Sequence, residues 1–305
     1  MLKSKKLKSV TSFLRGGDRK SSEQRKRFTR SKFGNVVYVT FLIAFGLFSV
    51  LPLIYCICTS FKPIDELLIF PPKFFVSRPT LENYAALPSL LSNMRVPLSK
   101  YIFNSLFITT ITTTLYVFVS TAAGFVLSKT KMPVNKILIT GVQVALLFNT
   151  FTLAIPQYLI FSYLGMVDTY WIYILPYCAS SMGVFLMKQY IDGSVPEALL
   201  EAARIDGAGQ LRIFAQIVVP MTKPCMMTLT LFGFQAVWST VPDGTIFSET
   251  LKTLPTIMAN INSGGIARSG SAMAVTVLMM LPPILIYMIT QSNVLESMNS
   301  AGIKE

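Results

Sequence analysis

Apolar residues in this chain come in long runs rather than in an alternating pattern. Six stretches carry no charged residue: 33–61, 101–128, 137–167, 169–187, 224–242 and 269–295. A helix rising 1.5 Å per residue needs about 20 apolar residues to cross a hydrocarbon core of about 30 Å, so each stretch predicts a membrane span. Asp168 alone divides the third from the fourth, within Leu164-Gly165-Met166-Val167-Asp168-Thr169, which predicts a tight turn. The first stretch follows a long basic region and lacks a small-residue cleavage site, so a retained span is expected. Proline falls inside several runs (Pro52, Pro156, Pro176, Pro282, Pro283), where each removes a backbone donor and favours a kink.

Charge sets the orientation. Residues 1–35 hold twelve Lys and Arg against Asp18 and Glu23. With both ends in the cytoplasm, the inner segments carry 20 basic residues and the outer ones seven, the bias that orients membrane proteins. The predicted fold is therefore an all-α polytopic membrane protein with six transmembrane helices and cytoplasmic N and C termini. It divides into a basic tail over 1–35, a first span over 36–60, an external loop over 61–100, a transmembrane core over 101–295 and a cytoplasmic tail over 296–305. The core includes a charged cytoplasmic loop over 194–224 and an external segment over 243–268. The long outer segments hold Phe70-Pro71-Pro72-Lys73-Phe74-Phe75 and Ile257-Met258-Ala259-Asn260, which suit an interfacial rim or, equally, a structural lid over the helix ends.

Composition narrows the chemistry. The chain is 52% apolar and 13% charged with a mean hydropathy of +0.56, against about 25% charged in soluble domains. A basic arm beside an apolar helix reads as an orientation signal that touches anionic lipid, and with no folded basic module after it no nucleic-acid partner is expected. Histidine is absent, and Cys56, Cys58, Cys178 and Cys225 lie in apolar surroundings without metal spacing. No catalytic residues and no metal site are expected.

The charged segment 194–224 is costly to place between two spans unless something soluble grips it. Ser194-Val195-Pro196-Glu197 has the form of a capping box, with proline where a missing N–H is cheap. Glu197 to Ile205 predicts a helix of good formers about 13 Å long, too short to cross a bilayer. Gly207 is placed to end it by taking positive φ, and a second amphipathic helix over about Gln210 to Val219 should lead to Pro220. An ordinary helix–turn–helix connection would satisfy the same physics.

The spacing goes further than that. Glu201-Ala202-Ala203, three residues, Gly207, nine residues, Ile217, one residue, Val219-Pro220 resembles the EAA loop of ABC-importer permeases. From about Tyr38 onward the chain looks like the permeases of carbohydrate importers of the maltose/oligosaccharide type. Ser60-Phe61-Lys62-Pro63, Leu81-Glu82-Asn83-Tyr84, Asn104-Ser105, Tyr170-Trp171, Leu175-Pro176 and Phe185 through Tyr190 carry this, as does the ending Ala301-Gly302-Ile303-Lys304-Glu305. It looks like the second permease of a pair. Trp238-Ser239-Thr240 departs from the family's Trp-Asn-aromatic string, which leaves contacts there less defined.

The resemblance implies a transport subunit rather than an enzyme, in the bacterial plasma membrane as a multi-pass protein. Its partners would be a second permease, a cytoplasmic ABC ATPase dimer and an extracytoplasmic binding protein that delivers a sugar. ATP and Mg would bind the ATPase; this chain has no G-x-x-x-x-G-K-[ST] and is expected to bind no cofactor. Carried over to the loop, the family's ATPase-coupling positions are Glu197, Leu200, Glu201, Ala202, Ala203, Arg204, Asp206, Gly207, Ala208 and Pro220. Glu201 would be the polar anchor, Ala202 and Ala203 a close-packing floor, Gly207 the bend and Asp206 a cap for the second helix. Asn149, Gln157, Ser180, Ser181, Gln235 and Trp238 have the hydrogen-bonding or stacking groups a sugar path needs, although such residues also pair helices in membranes. A secondary transporter is the competing class, yet the six runs hold no ionisable group for ion coupling. An ABC permease for a peptide, polyamine or lipid-linked glycan stays open.

Overall fold

The computed structural model describes residues 32–92, 96–130, 132–148, 150–241 and 244–302. The basic arm before Lys32, Asn149 and the last three residues lie outside the described residues. Regular structure among the described residues is all helical. The principal helices are α1 (Lys32–Ser60), α2 (Leu98–Lys129), α3 (Asn135–Ala145), α4 (Thr150–Tyr163), α5 (Trp171–Cys178), α6 (Ser181–Ser194), α7 (Glu197–Ile205), α8 (Gln210–Ile213), α9 (Lys223–Trp238), α10 (Leu254–Asn262) and α11 (Ser269–Gly302). The chain forms two compact units, the first ending at Pro52 and the second starting at Leu53.

Among the described residues, three segments are long and apolar enough to cross a membrane: Gly34–Ser60, Leu98–Lys129 and Ile266–Ser292. A fourth, Gln210–Met221 with Lys223–Trp238, passes only as a pair bent by 78°. The described part of the first unit is one apolar helical stretch whose side chains are largely uncovered, Phe48 being 70% exposed.

Two of the predicted spans are broken. The third run is α3 followed by α4, with the helix lost after Ala145. The fourth is α5 and α6, parted at Ala179–Ser180 three residues beyond Pro176. Charge gaps do not register such breaks, because a helix can stop without a charged residue. The last turn of α6 also runs past Lys188 to Ser194.

In the second unit, α2 packs against α5, α6 and α9, and α9 packs against α11. Its buried face is Tyr101, Asn104, Ser105, Ile108, Thr112, Tyr116, Ser120, Gly124 and their neighbours, mostly small or hydroxylated. Small side chains let helices approach where lipid offers no hydrophobic drive, and hydroxyls can bond to their own helix. Thr121 does so, donating to the Val117 carbonyl at 2.7 Å. Its bulky residues Phe103, Phe107 and Phe118 face outward. The close approach is sharpest at Tyr116: a Cβ on Gly183 of α6 would lie 2.5 Å from its ring, and one on Gly233 of α9 also 2.5 Å.

At the end of α1 and the start of α2 two asparagines act as clamps. Asn83 donates to the Ser60 and Lys62 carbonyls at 2.9 and 2.7 Å, and Tyr84 donates to the Ser60 hydroxyl at 2.9 Å. They satisfy carbonyls that the end of α1 leaves without helical partners. Asn104, fully buried, donates to the Thr250 and Lys252 carbonyls at 2.8 and 2.9 Å and accepts from the Tyr170 hydroxyl at 3.0 Å. Ser105 accepts from the Leu254 N–H at 2.8 Å. Residues 83–84 and 250–254 are thus fastened to the helix ends. Asn104→Ala would remove the shared partner of three part-buried groups, the Thr250 and Lys252 carbonyls and the Tyr170 hydroxyl, at about 0.5–1.5 kcal/mol for each bond. Thermal unfolding in detergent should show a larger loss for Asn104→Ala than for Asn83→Ala, which sits half-exposed; equal Tm values would contradict the clamp.

The predicted turn at Asp168 is present, with φ of 59° at Asp168 and 65° at Gly165. The Asp168 carboxylate accepts from the Ser248 hydroxyl and from the Ser248 and Phe247 N–H groups, the latter two at 2.8 and 2.9 Å. The Ser248 hydroxyl and amide lead in holding this carboxyl below its ordinary range, outweighing burial. A lowered folded value means the latch contributes fully above the unfolded carboxylate range near pH 4 and is lost as pH falls through the folded value. Protection of the Phe247 and Ser248 amides against exchange, taken relative to the intrinsic rate at each pH, should therefore fall on acidification, and Asp168→Asn should remove that change in protection.

Candidate functional site

Residues 194–221 form the charged loop. α7 has the predicted bounds, Glu197–Ile205, but its start is built differently. Ser194 does not cap it: its hydroxyl bonds back to the Tyr190 carbonyl at 2.7 Å and belongs to the end of α6. Pro196 occupies the N-cap position without a side-chain cap. The start is instead bracketed by charge, with Glu197 3.8 Å from Lys129 of α2 and 3.8 Å from Arg204.

The end of α7 follows the glycine signal. Gly207 has φ of 79°, its N–H donates to the Arg204 carbonyl at 3.0 Å, and the Ala208 N–H donates to the Ala203 carbonyl at 2.9 Å. This is the paired closure that a left-handed residue permits at a helix end. Asp206 does not cap the second helix, whose N-cap is Gly209 without a side-chain bond. The second helix is α8 continued by a π turn over Phe214–Val218 and one more turn at Val219–Met221. The wide turn falls where the Pro220 ring would otherwise crowd the Gln216 carbonyl.

Packing sorts the loop residues into two sets. Leu200, Ile213 and Val218 are fully buried in a cluster with Tyr116, Val117, Phe125, Met187, Ile191 and Leu229. Leu200 thus has no surface to present outward; it holds α7 to the helices. Ala203 and Ala208 are half-buried against the same cluster. Glu197, Glu201, Ala202, Arg204, Asp206 and Pro220 are exposed, as are Ile205 at 86% and Leu211 at 84%. Between the two helices lies an open notch of about 240 Å³ lined by Ala203, Asp206, Ala208, Arg212, Gln216 and Ile217. Arg212 is held beside it by its bond to the Gln216 side chain at 3.0 Å. Sequence reasoning missed Ile205 and Leu211; two large apolar residues flanking a glycine turn on a charged loop were the available signal. This surface offers shape, a carboxylate and apolar knobs, which suits binding and the transmission of force.

The described residues considered for a sugar path lie on α4, at the α5–α6 break and on α9. Asn149 lies outside the described residues. Gln157 is half-buried on α4, Ser180 and Ser181 are half-buried at the α5–α6 break, and Gln235 is exposed on α9. Trp238 is no open platform: it is 4% exposed, stacks on Phe234 at 5.5 Å and donates its indole N–H to the Met279 carbonyl at 3.0 Å. No group of metal-ligating side chains is found among the described residues.

No protein-family model matches the chain. It is 27% identical over 281 residues to the polygalacturonan/rhamnogalacturonan transport system permease protein YtcP of Bacillus subtilis, covering 87% of this chain and 96% of the relative. Protein LplC of Bacillus subtilis is 30% identical over 213 residues, 67% of each chain. The arabinooligosaccharides transport system permease protein AraQ of the same organism is 26% identical, over 88% of this chain and 95% of its own. Among solved structures, a bacterial ABC transporter involved in the import of the acidic polysaccharide alginate has a chain with a TM-score of 0.68 at 19% identity, covering 86% of this chain and 98% of that one.

Proposed function

The chain belongs to the permease family of sugar ABC importers, and from that premise we infer that it passes an oligosaccharide across the bacterial plasma membrane as one of two unlike permeases. Six spans are assigned: α1, α2, α3 with α4, α5 with α6, α9 and α11, with both termini in the cytoplasm. The basic asymmetry of the sequence supports that orientation. Relatives in this family transport polygalacturonan or rhamnogalacturonan, galactooligosaccharides and arabinooligosaccharides, which favours a sugar over a peptide or polyamine.

The observation that carries the mechanism is the division of labour in the 194–221 loop, in which a buried set fixes two short helices and an exposed set faces away. A cytoplasmic ATPase grips Glu201, Ala202, Ile205 and Leu211, and ATP-driven closure of its two copies displaces α7. Leu200 and Ile213 then pass the displacement to α2, α6 and α9 without slack, because close-packed interiors transmit strain. Glu197, between Lys129 and Arg204, keeps α7 in register with the inner end of α2. At 3.8 Å, with the Glu197 carboxylate open to solvent, such pairs contribute about 1 kcal/mol or less, so their part is alignment rather than stability. An extracytoplasmic protein delivers the sugar to the lidded outer face.

Co-purification tests this reading. The tagged chain, gently solubilised, should bring a second permease and an ATPase; Glu201→Arg or Gly207→Val should lose the ATPase and keep the permease. Solitary purification, or transport in vesicles without ATP, would overturn it.

A further inference from the structure

The outer segment after α1 carries an apolar tip that the transport mechanism does not use. Phe70 is 92% exposed, Phe75 69% and Leu68 61%, with Pro71 and Pro72 exposed between them. The tip is neither loose nor upright. Glu66 accepts from the Ser77 N–H at 2.9 Å and closes its base. Lys62 donates to the Lys73 carbonyl and lies 5.3 Å over the Tyr55 ring, while the Phe74 ring sits 5.6 Å from that of Tyr55. Tyr55 is five residues before the last residue of α1, about 7.5 Å down the helix. The loop is therefore folded back along the flank of α1 instead of standing above its end.

From this geometry we propose that residues 68–75 dip into the headgroup–acyl boundary of the outer leaflet and anchor the outer lid to lipid. The proposal rests on the membrane-spanning assignment of α1. The depth matches the roughly 5–10 Å to which interfacial apolar elements sink. The tip continues the uncovered apolar flank of α1 at Leu53, Ile54 and Ile57. Lys73 within the tip and Arg78 just after it are exposed, and their long side chains can reach up to anionic phosphates. A protein partner would find a convex tip here, whereas a bilayer boundary accepts aromatic side chains without shape matching.

The whole importer carrying Phe70→Trp is reconstituted in vesicles of phosphatidylcholine and phosphatidylglycerol, with bromine placed either high or midway along the phosphatidylcholine chains. Fluorescence is read as the difference from the parent importer, which removes Trp171 and Trp238. Leu47→Trp, within the α1 span, serves as the deep reference. The expected result is a roughly twofold loss of the Phe70→Trp signal with the high bromine and a smaller loss with the midway one, as an interfacial depth requires. A quenched reference with an unquenched Phe70→Trp overturns the proposal, whether acrylamide reaches the indole (water) or not (a covering protein). An unquenched reference overturns the spanning assignment as well. Phe75→Trp repeats the measurement where Phe70→Trp does not assemble.

Discussion

Gly207→Val should leave a folded, membrane-inserted permease whose transport falls about tenfold or more. A valine there meets no neighbour, since nothing lies within 4 Å of the added Cβ. The cost is confined to the backbone, at φ of 79°, where a β-branched residue loses on the order of 1–2 kcal/mol. That is enough to break the closure made by the Gly207 and Ala208 N–H groups and to swing α8 away from α7. A bias of about 1.4 kcal/mol already shifts an equilibrium tenfold, so the docking surface is lost while the buried anchors Leu200 and Ile213 keep the helices in place. Gly207→Asn should retain most transport, because asparagine tolerates left-handed backbone. Transport assayed alongside thermal unfolding in detergent separates these outcomes. Equal loss in both variants, or a collapse of Tm with valine, would contradict the assignment of Gly207 as a bend.

Gly233→Val should do the opposite and fail at folding. Its first added carbon would lie 2.5 Å from the Tyr116 ring, and Gly183 hems the same ring from the other side. The tyrosine has nowhere to turn, so α9 must separate from α2. Overpacking of this kind costs about 1–3 kcal/mol and more where the neighbour cannot yield. The expected readout is a sharply reduced yield of monodisperse protein. Shrinking the neighbour tests the cause: Gly233→Ala should be partly rescued by Tyr116→Leu, whereas rescue by nothing at position 116 would place the fault elsewhere.

Legibility followed the range of the signal. α7 was readable to the residue because Pro196 and Gly207 mark its ends through local backbone limits. The capping box was not, because Ser194 had a choice of carbonyl partners and bonded to the turn behind it. The breaks at Ala145 and at Ala179–Ser180 were invisible to charge gaps. The two asparagine clamps were quoted as family strings without a role, because their acceptors lie more than twenty residues away for Asn83 and about 150 for Asn104. Trp238 misled for a related reason: an indole at depth has the chemistry of a sugar platform until its N–H is seen engaged.

The separation of buried anchors from exposed residues on the 194–221 loop has an evolutionary consequence. Glu201, Ile205 and Leu211 can be exchanged without disturbing Leu200, Ile213 or Val218, so on the docking proposed above the permease is re-matched to a different motor while its interior stays untouched. With an ATPase docked on this surface as proposed, inheritance of the pump and inheritance of its engine are uncoupled.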